Sequence, residues 1–482
     1  MNPRSLLAIA SGRIAGSASR ALRRGGGTAV AGLVAQRIDP AVAARLASQL
    51  GHGCAIVTGT NGKTTTARML AAIAREAGPS TSLRTGLRPL ANPSGSNLMR
   101  GVTAALIEET GPLGRVRDAR DRLGVFEVDE ATLPEAARAL HPRAVVFTNL
   151  FRDQLDRYGE VDTVAALWRE TLAQLPPDTT AVLCADDPAV ASLAEVARGP
   201  VLTFGIEDRR VAQETLDHAS DYRFCLSCGE ELVYEGAFYG HVGHWRCPGC
   251  GRARPVPDVR ATCVEPASAR STRLAIATPG GELRLDLPLA GVYNAENALA
   301  ATAAAVALGL PLDAIERALA SFRAAFGRQE RFEVRGREVL VLLGKNPTGM
   351  NQVLRTITPD GAAGPSASLR TSLHLLLFLN DGIADGRDIS WIWDTDYELL
   401  RGRAATIVVS GTRAEELALR LKYAGIDVEP QLVHDARAAL DAALLETPEG
   451  ATLHVVPTYT AMLEVRELLA KLGGRRHFWE DA

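Results

Sequence analysis

A membrane-spanning helix needs about eighteen or more consecutive apolar residues with few or no charges, and the sequence holds no such stretch. Nor is there an excess of positive charge: 53 Lys and Arg stand against 56 Asp and Glu, a formal net charge of −3. That balance excludes a dedicated nucleic-acid binder, whose contact surface must offset phosphate charge. Cysteine is scarce, seven in 482 residues, too few for a disulfide framework in a chain of this length. No repeat of short, regular period occurs, which excludes a solenoid. The stretch from Met1 to Arg24 carries Arg4, Arg13, Arg20, Arg23 and Arg24, and its uncharged runs are too short and mixed for a signal peptide. It reads as a basic amphipathic helix, and a cytoplasmic location is the expectation.

What remains is an ordinary globular composition, 46% hydrophobic and 23% charged, in a chain too long for one core. The stretch that organises it is Gly59-Thr60-Asn61-Gly62-Lys63-Thr64-Thr65. It follows the apolar run Cys54-Ala55-Ile56-Val57 and leads into Ala67-Arg68-Met69-Leu70, so it reads as strand, glycine turn and helix. Glycines let successive N–H groups and the helix N-terminus face one point, where a phosphate chain can sit. Lys63, read as an exposed loop lysine, is placed to reach the terminal phosphates, and Thr64 to ligate Mg²⁺. The strict phosphate-loop pattern has glycine where this chain has Val57.

Downstream, strand-like runs at Gly124 to Glu130, Ala144 to Leu150 and Ala181 to Cys184 alternate with helical stretches. That pattern predicts an α/β fold with a parallel sheet and helices on both faces. Ligands of such sheets bind at the carboxyl ends of the strands, where the phosphate loop, Glu127 and Asn149 all fall. Glu127, Asp129 and Glu130 are either solvated strand-end charges or, beside a phosphate loop, oxygen ligands for Mg²⁺. Asn92 to Asn97 form a polar loop suited to lie over a nucleotide or substrate. Asn294 and Asn297, at the start of an alanine-rich helix, either hydrogen-bond a base edge or cap the helix.

Cys225 and Cys228 form one Cys-x-x-Cys pair, Cys247 and Cys250 another, with 18 residues between them. Four thiolates at that spacing close a tetrahedral zinc site with no open position, so the metal is structural. Redox pairs are the alternative, and His241 and His244 are spare potential ligands. Leu232 to Tyr234 and His244 to Arg246 read as the short strands of a zinc ribbon, while Cys54, Cys184 and Cys263 read as buried or incidental. A hairpin follows at Leu274 to Ala277 and Leu283 to Leu287. Runs at Val339 to Leu343, Leu373 to Leu379, Ala405 to Val409 and Thr452 to Val456 form a further α/β layer. The expected organisation is a helical segment of one or two helices at 1–50, a central ATP-binding domain at 51–320 with the ribbon inserted at 222–254, and a C-terminal α/β domain at 321–482. Gly78 to Thr85 and Gly364 to Thr371 agree at seven of eight positions and read as tolerated surface insertions.

Taken in order, these motifs resemble the Mur ligase family, ATP-dependent enzymes that join an amine to a carboxylate during peptidoglycan precursor synthesis. The resemblance covers nearly the whole chain and is narrower to the family's MurT-like subunits, marked by the four-cysteine ribbon and the segment Asp385-Gly386-Arg387-Asp388-Ile389-Ser390-Trp391-Ile392-Trp393-Asp394. It implies a Mur-ligase central domain with an inserted zinc ribbon, followed by a Rossmann-like domain. Gly59 to Thr65 is similar to the family's phosphate loop, Glu127 to its Mg²⁺-binding glutamate, Asn294 and Asn297 to its nucleotide-side asparagines, and Arg328 to the arginine of its Gly-Arg-x-Glu segment. Asp153-Gln154-Leu155-Asp156 stands where many members have Asp-His-Leu-Asp, and no residue matches their carbamylated lysine.

The activity implied is amidation of the α-carboxylate of D-glutamate in the stem peptide of lipid II, at the membrane surface, through an acyl phosphate. No cysteine has a glutaminase-like setting, so ammonia is expected from a partner, a GatD-like glutamine amidotransferase. MurT-like chains are thought to lend an aspartate to the partner's Cys–His pair. Of Asp385, Asp388, Asp394 and Asp396, Asp394 is the first candidate and Asp388 the second, because large apolar rings precede Asp394. Lys345-Asn346-Pro347-Thr348-Gly349 resembles the family's turn near the reacting carboxylate, or is a plain surface turn. Two rival readings are a folylpolyglutamate-type ligase that adds an amino acid, and a zinc-bearing scaffold that binds ATP without turnover.

Overall fold

Cys54–Thr58 forms strand β1, buried at every residue, as a strand covered by helices on both faces must be. The computed structural model describes residues 2–21, 28–77, 86–92, 96–153, 161–213, 216–217, 220–268, 270–323, 328–358 and 372–473. The chain forms two units: Met1–Phe151 with Glu160–Thr215 and Tyr222–Phe322, and Arg152–Gly159 with Leu216–Asp221 and Arg323–Ala482.

In the first unit β1 is joined by β2 (Arg88–Ala91), β3 (Arg122–Glu127), β4 (Ala144–Phe147), β5 (Thr180–Cys184) and β6 (Val201–Ile206). A hairpin, β7 (Val233–Tyr239) and β8 (Val242–Arg246), stands apart, and β9 (Val259–Ser268), β10 (Ser271–Thr278) and β11 (Gly281–Leu287) complete the main sheet. Its order is β11-β10-β9-β6-β5-β4-β1-β3-β2, parallel from β2 through β9 and antiparallel across β9, β10 and β11. Val57 sits opposite Glu127 on one side and Val146 on the other. Register alone therefore brings the phosphate loop, the end of β3 and the end of β4 together at the carboxyl ends of the strands.

Both β3 and β4 end earlier than their apolar runs predict. Thr148 to Leu150 leave the ladder to serve the phosphate loop and a neighbouring turn: Asn149 O accepts Thr60 N–H at 2.9 Å, and Leu150 N–H donates to Asp187 at 2.8 Å. After Glu127, Asp129 caps a short helical turn by accepting Glu130 N–H at 2.8 Å. The described residues of the N-terminal segment form three helices rather than one or two: α1 (Pro3–Ala21), α2 (Thr28–Ile38) and α3 (Val42–Ala47). The phosphate-loop helix α4 (Lys63–Glu76) and α5 (Met99–Glu108) follow. The alanine-rich helix Val292–Ala307 packs on α4 and across the sheet, its small side chains allowing close approach.

Among the described residues the second unit has six strands, β12 (Arg328–Val334), β13 (Arg337–Leu342), β14 (Leu373–Phe378), β15 (Ala404–Ser410), β16 (Gln431–Leu432) and β17 (Thr452–Val456). Their order is β12-β13-β17-β14-β15-β16, parallel except for the β12–β13 pair. Leu375 and Leu377 enter one core while Leu376 and Phe378 enter the other, the period-2 alternation of a strand buried on both faces. Among the described residues no helix is long and apolar enough to cross a membrane. The near-repeats at 78–85 and 364–371, and the segment 154–158, lie outside the described residues.

Candidate functional site

The phosphate loop takes its shape from two glycines. Gly59 has φ +134° and a Cβ there would lie 2.0 Å from Thr148 Oγ1; Gly62 has φ +84° and a Cβ would lie 2.0 Å from Asn297 Oδ1. No other residue type fits either position without moving its neighbour. Gly62 is the N-cap of α4, no side chain caps the helix, and Thr66 N–H bonds back to Gly62 O at 2.9 Å. An α-helix leaves the N–H groups of its first turn without intrahelical partners, so the end of α4 presents partial positive charge to the loop. The loop is anchored from β4's continuation: Asn149 Oδ1 accepts Asn61 N–H at 2.8 Å, and Thr60 Oγ1 bonds both Phe151 O and Phe151 N–H. Thr65 is buried in the same turn.

Lys63 is not an exposed loop lysine. It is the first residue of α4 and 6% exposed, its Nζ 3.1 Å from both Glu130 oxygens and also bonded to Gly59 O and Thr60 O. Next to it, Thr64 Oγ1 donates to Glu127 Oε1 at 2.9 Å. Glu127, Asp129 and Glu130 are 6%, 4% and 5% exposed, which removes the reading of solvated strand-end charges. A cation and a hydroxyl thus sit on adjacent acids at the N-terminus of one helix. That donor set, two carboxylates, a hydroxyl and an ammonium beside an anion-attracting helix end, fits a magnesium-bound phosphate chain.

Two further residues hold this arrangement. Asn92 grips the backbone of Glu127, accepting its N–H at 2.9 Å and donating to its carbonyl at 2.9 Å. Glu130 is the partner of Lys63, and Trp168 Nε1 donates to its carbonyl at 3.3 Å. The sequence places Asn92 in a covering loop and leaves Glu130 undifferentiated among three acids, because pairing with Lys63, 67 residues away, depends on the fold. Asn294 and Asn297 do not cap their helix, whose N-cap is Gly291. Asn294 donates to Ala290 O at 2.8 Å, and Asn297 reaches across to α4, accepting from Thr66 Oγ1 at 3.4 Å. Arg328 opens β12 in the second unit, and its side chain lies outside the described residues.

The four cysteines are gathered in the first unit beside the β7–β8 hairpin. Their sulfurs all lie within 4.8 Å of one another, and among the described residues they are the only cluster of three or more His, Cys, Asp or Glu side chains close enough to share one ion. Each Cys-x-x-Cys turn is built alike: Gly229 N–H returns to Cys225 O at 2.9 Å and Gly251 N–H to Cys247 O at 3.1 Å, at φ +76° and +75°. Ser227 N–H and Cys250 N–H point at the Cys225 and Cys247 sulfurs, both at 3.4 Å. The Cys250 N–H helps bring the Cys247 thiol down to about 7. Sulfur pairs at 3.4 and 3.6 Å approach the separation of about 3.8 Å that zinc–sulfur bonds of about 2.3 Å impose on a tetrahedron. His241 and His244 are elsewhere, against Asp187 and Ile206 O. Cys54 and Cys184 are buried and Cys263 is half-buried.

In the second unit the four aspartates separate by burial. Asp385 accepts Thr460 N–H at 2.8 Å and the Thr460 hydroxyl at 2.5 Å, and burial raises its pKa. Asp396 accepts from Asn351 Nδ2 at 3.0 Å and Arg355 at 3.4 Å. Asp388 is exposed and takes Ser390 N–H at 2.9 Å. Asp394 is 41% exposed at its side chain, 3.2 Å from Arg152 Nη1. Of the two tryptophans before it, Trp391 packs on the core, while Trp393 is 50% exposed with its ring 5.6 Å from that of Tyr423. Asn346 caps the helix Pro347–Ile357 by accepting Gly349 N–H at 2.8 Å, and Lys345 pairs with Asp153 at 2.5 Å.

The chain matches the family described as Mur ligase middle domain over residues 57–242 and that described as MurT ligase C-terminal over residues 343–462. It is 31% identical over 469 residues to the lipid II isoglutaminyl synthase (glutamine-hydrolyzing) subunit MurT of Staphylococcus aureus strain N315, covering 97% of this chain and 98% of that one. The same-named subunit of Streptococcus pneumoniae strain R6 is 32% identical over 473 residues, 98% of each chain. Among solved structures, a pseudomurein peptide ligase type C from Methanothermus fervidus aligns with a TM-score of 0.62 at 23% identity, over 87% of this chain and 78% of that one. MurF from Acinetobacter baumannii aligns with a TM-score of 0.63 at 19% identity, over 93% and 80%. At such identities the structures speak for the fold alone.

Proposed function

Since the chain belongs to the Mur ligase family, among the MurT subunits of lipid II isoglutaminyl synthases, we propose that it uses ATP to activate a stem-peptide carboxylate of lipid II for attack by ammonia. The carboxylate is the α-carboxyl of D-glutamate, and the product is D-isoglutamine. A carboxylate resists an amine because oxide is a poor leaving group. Attack of a carboxylate oxygen on the γ-phosphorus, with cleavage of its bond to ADP, makes an acyl phosphate. Ammonia then adds to the acyl carbon, the acyl–oxygen bond to phosphate breaks, and the proton lost by nitrogen leaves with the phosphate as hydrogen phosphate. The ammonia comes from a GatD-like glutamine amidotransferase, and the reaction takes place at the cytoplasmic side of the membrane that holds lipid II.

The observation that carries this reading is the pairing of Lys63 with Glu130 and of Thr64 with Glu127 at the N-terminus of α4. Glu130 and the two loop carbonyls hold the Lys63 ammonium where a γ-phosphate would exchange for them. Gly59 to Thr65 surround the phosphates, with Asn294, Asn297 and Arg328 assigned to the nucleotide. Thr64 and Glu127 would hold Mg²⁺, which offsets phosphate charge in the transfer. Cys225, Cys228, Cys247 and Cys250 would hold one zinc ion that stabilises the hairpin module and takes no part in the reaction. Asp394 is assigned to the partner's glutaminase pair, where a carboxylate orients a histidine and stabilises its imidazolium.

The test is ATP turnover by the copurified pair with lipid II and glutamine each withheld. The reading expects ADP release to depend on lipid II, and amidated product to require glutamine or an ammonium salt. Turnover indifferent to lipid II would leave the scaffold reading, and product carrying an added amino acid would favour the folylpolyglutamate type.

A further inference from the structure

Residues 1–38 contain six arginines, Arg4, Arg13, Arg20, Arg23, Arg24 and Arg37, and no aspartate or glutamate, in a chain of net charge −3. The described residues of this stretch form α1 and α2, which pack on each other and on α5. The packed faces are made of small residues: a Cβ on Gly12 would lie 2.8 Å from Ala31 O, and one on Gly32 1.7 Å from Arg100 O. Ser5, Ala8, Ile9, Ala31 and Ala35 are buried. The opposite faces ought to be polar in a helix that meets only water. Instead Leu7 and Ile14, one heptad apart on α1, are 59% and 70% exposed, and Val30 and Leu33 on α2 are 40% and 36% exposed.

An apolar surface flanked by arginine marks a contact with something both apolar and anionic. Nearby acids are already engaged: Asp39 is buried against Arg45 and Ser5, and Glu109 pairs with Arg122. Arg4 donates to Ile38 O at 2.5 Å from an exposed position, and Arg37 is exposed. Protein interfaces favour aromatic anchors and shed charge from their centres, yet residues 1–38 contain no Phe, Tyr or Trp. Aliphatic side chains with arginines that keep their heads in water are the pattern of a helix lying in a lipid headgroup layer. We propose that the solvent faces of α1 and α2 bind an anionic lipid surface, with Leu7, Ile14, Val30 and Leu33 entering the boundary between headgroups and acyl chains and Arg4 and Arg37 meeting anionic headgroups. The proposal rests on the function given above only for its purpose, to hold the ATP site near a lipid-anchored substrate.

The test uses the full chain with its copurified partner and sucrose-loaded vesicles, either phosphatidylcholine alone or equal parts phosphatidylcholine and phosphatidylglycerol. Nucleotide and lipid II are absent, so a failure of the amidation reading leaves this result unaffected. Co-sedimentation is expected with the anionic vesicles and not the neutral ones, and it should weaken as salt rises. Leu7→Gln with Ile14→Gln, and separately Arg4→Gln with Arg37→Gln, should each lower vesicle affinity roughly tenfold or more. Both should keep wild-type turnover on detergent-solubilised substrate. No binding by the wild type, or equal binding by wild type and both variants, would overturn the proposal. So would a change of oligomeric state in light scattering, or release of the partner subunit, in the first variant, since either assigns the face to protein.

Discussion

Removing the Lys63 ammonium separates a structural role from a chemical one. The ion pair with Glu130 is 3.1 Å long, and each side chain is only 7% exposed. Breaking a buried pair from one side leaves an uncompensated charge and costs about 3–5 kcal/mol. Lys63→Met keeps most of the aliphatic stem, so that charge term should dominate. In a unit of this size about 2 °C is lost per kcal/mol, and the melting temperature should fall by roughly 6–10 °C. Glu130→Gln placed in the Lys63→Met background removes the stranded charge, and most of the lost stability should return. Neither variant should amidate lipid II, because the phosphate oxygens still lack their ammonium. Thermal unfolding followed by circular dichroism, with amidation assayed well below the lowest melting temperature, reads both effects. A Lys63→Met variant that melts within about 2 °C of the wild type, or one that retains near-normal ATP-dependent amidation, would refute the argument.

Gly62→Ala should impair nucleotide binding, because alanine at φ +84° would press against Asn297 Oδ1 and strain of about 1–3 kcal/mol must be released by moving the loop; an unchanged ATP KM would count against it. One zinc per chain is expected by elemental analysis of metal-replete protein, and Cys225→Ser should bind substoichiometric zinc and melt earlier; a full equivalent in that variant would exclude the four-cysteine assignment. Asp394→Asn should lose glutamine-dependent amidation but keep activity with an ammonium salt; equal loss with both nitrogen sources would place Asp394 in the ligase site or the fold. Glu296 is fully buried, accepts the Cys184 S–H at 3.0 Å, and burial with Asp186 and Asp187 nearby holds its pKa well above the ordinary 4.5. The native state therefore keeps a proton that the unfolded chain releases, so this contribution is complete below about pH 4.5 and lost as pH rises toward the raised value. Glu296→Gln should flatten melting temperature against pH above that point, and an unchanged slope would show that Glu296 does not set it.

Local features were legible without the fold. A run of apolar residues ending in Gly-Thr-Asn-Gly-Lys-Thr-Thr specifies strand, turn and helix, because only glycine accepts the φ values that Gly59 and Gly62 adopt. Two four-residue Cys-x-x-Cys turns place their own sulfurs, and the burial of β14 on both faces follows from its run of apolar residues. Tertiary structure decided what each polar side chain faces. Lys63 and Glu130 are 67 residues apart, Asn92 and Glu127 are 35 apart, and Thr66 and Asn297 are 231 apart. They meet because the sheet orders β4, β1 and β3 side by side and a helix from far along the chain covers α4. The same reason makes Glu127, Asp129 and Glu130 buried rather than solvated, and it separates the buried Asp385 from the exposed Asp388. Hydrophobic spacing reports which elements form, since each depends on neighbours a few residues away. Burial and pairing of charge depend on strand order and long-range packing, which local sequence does not encode.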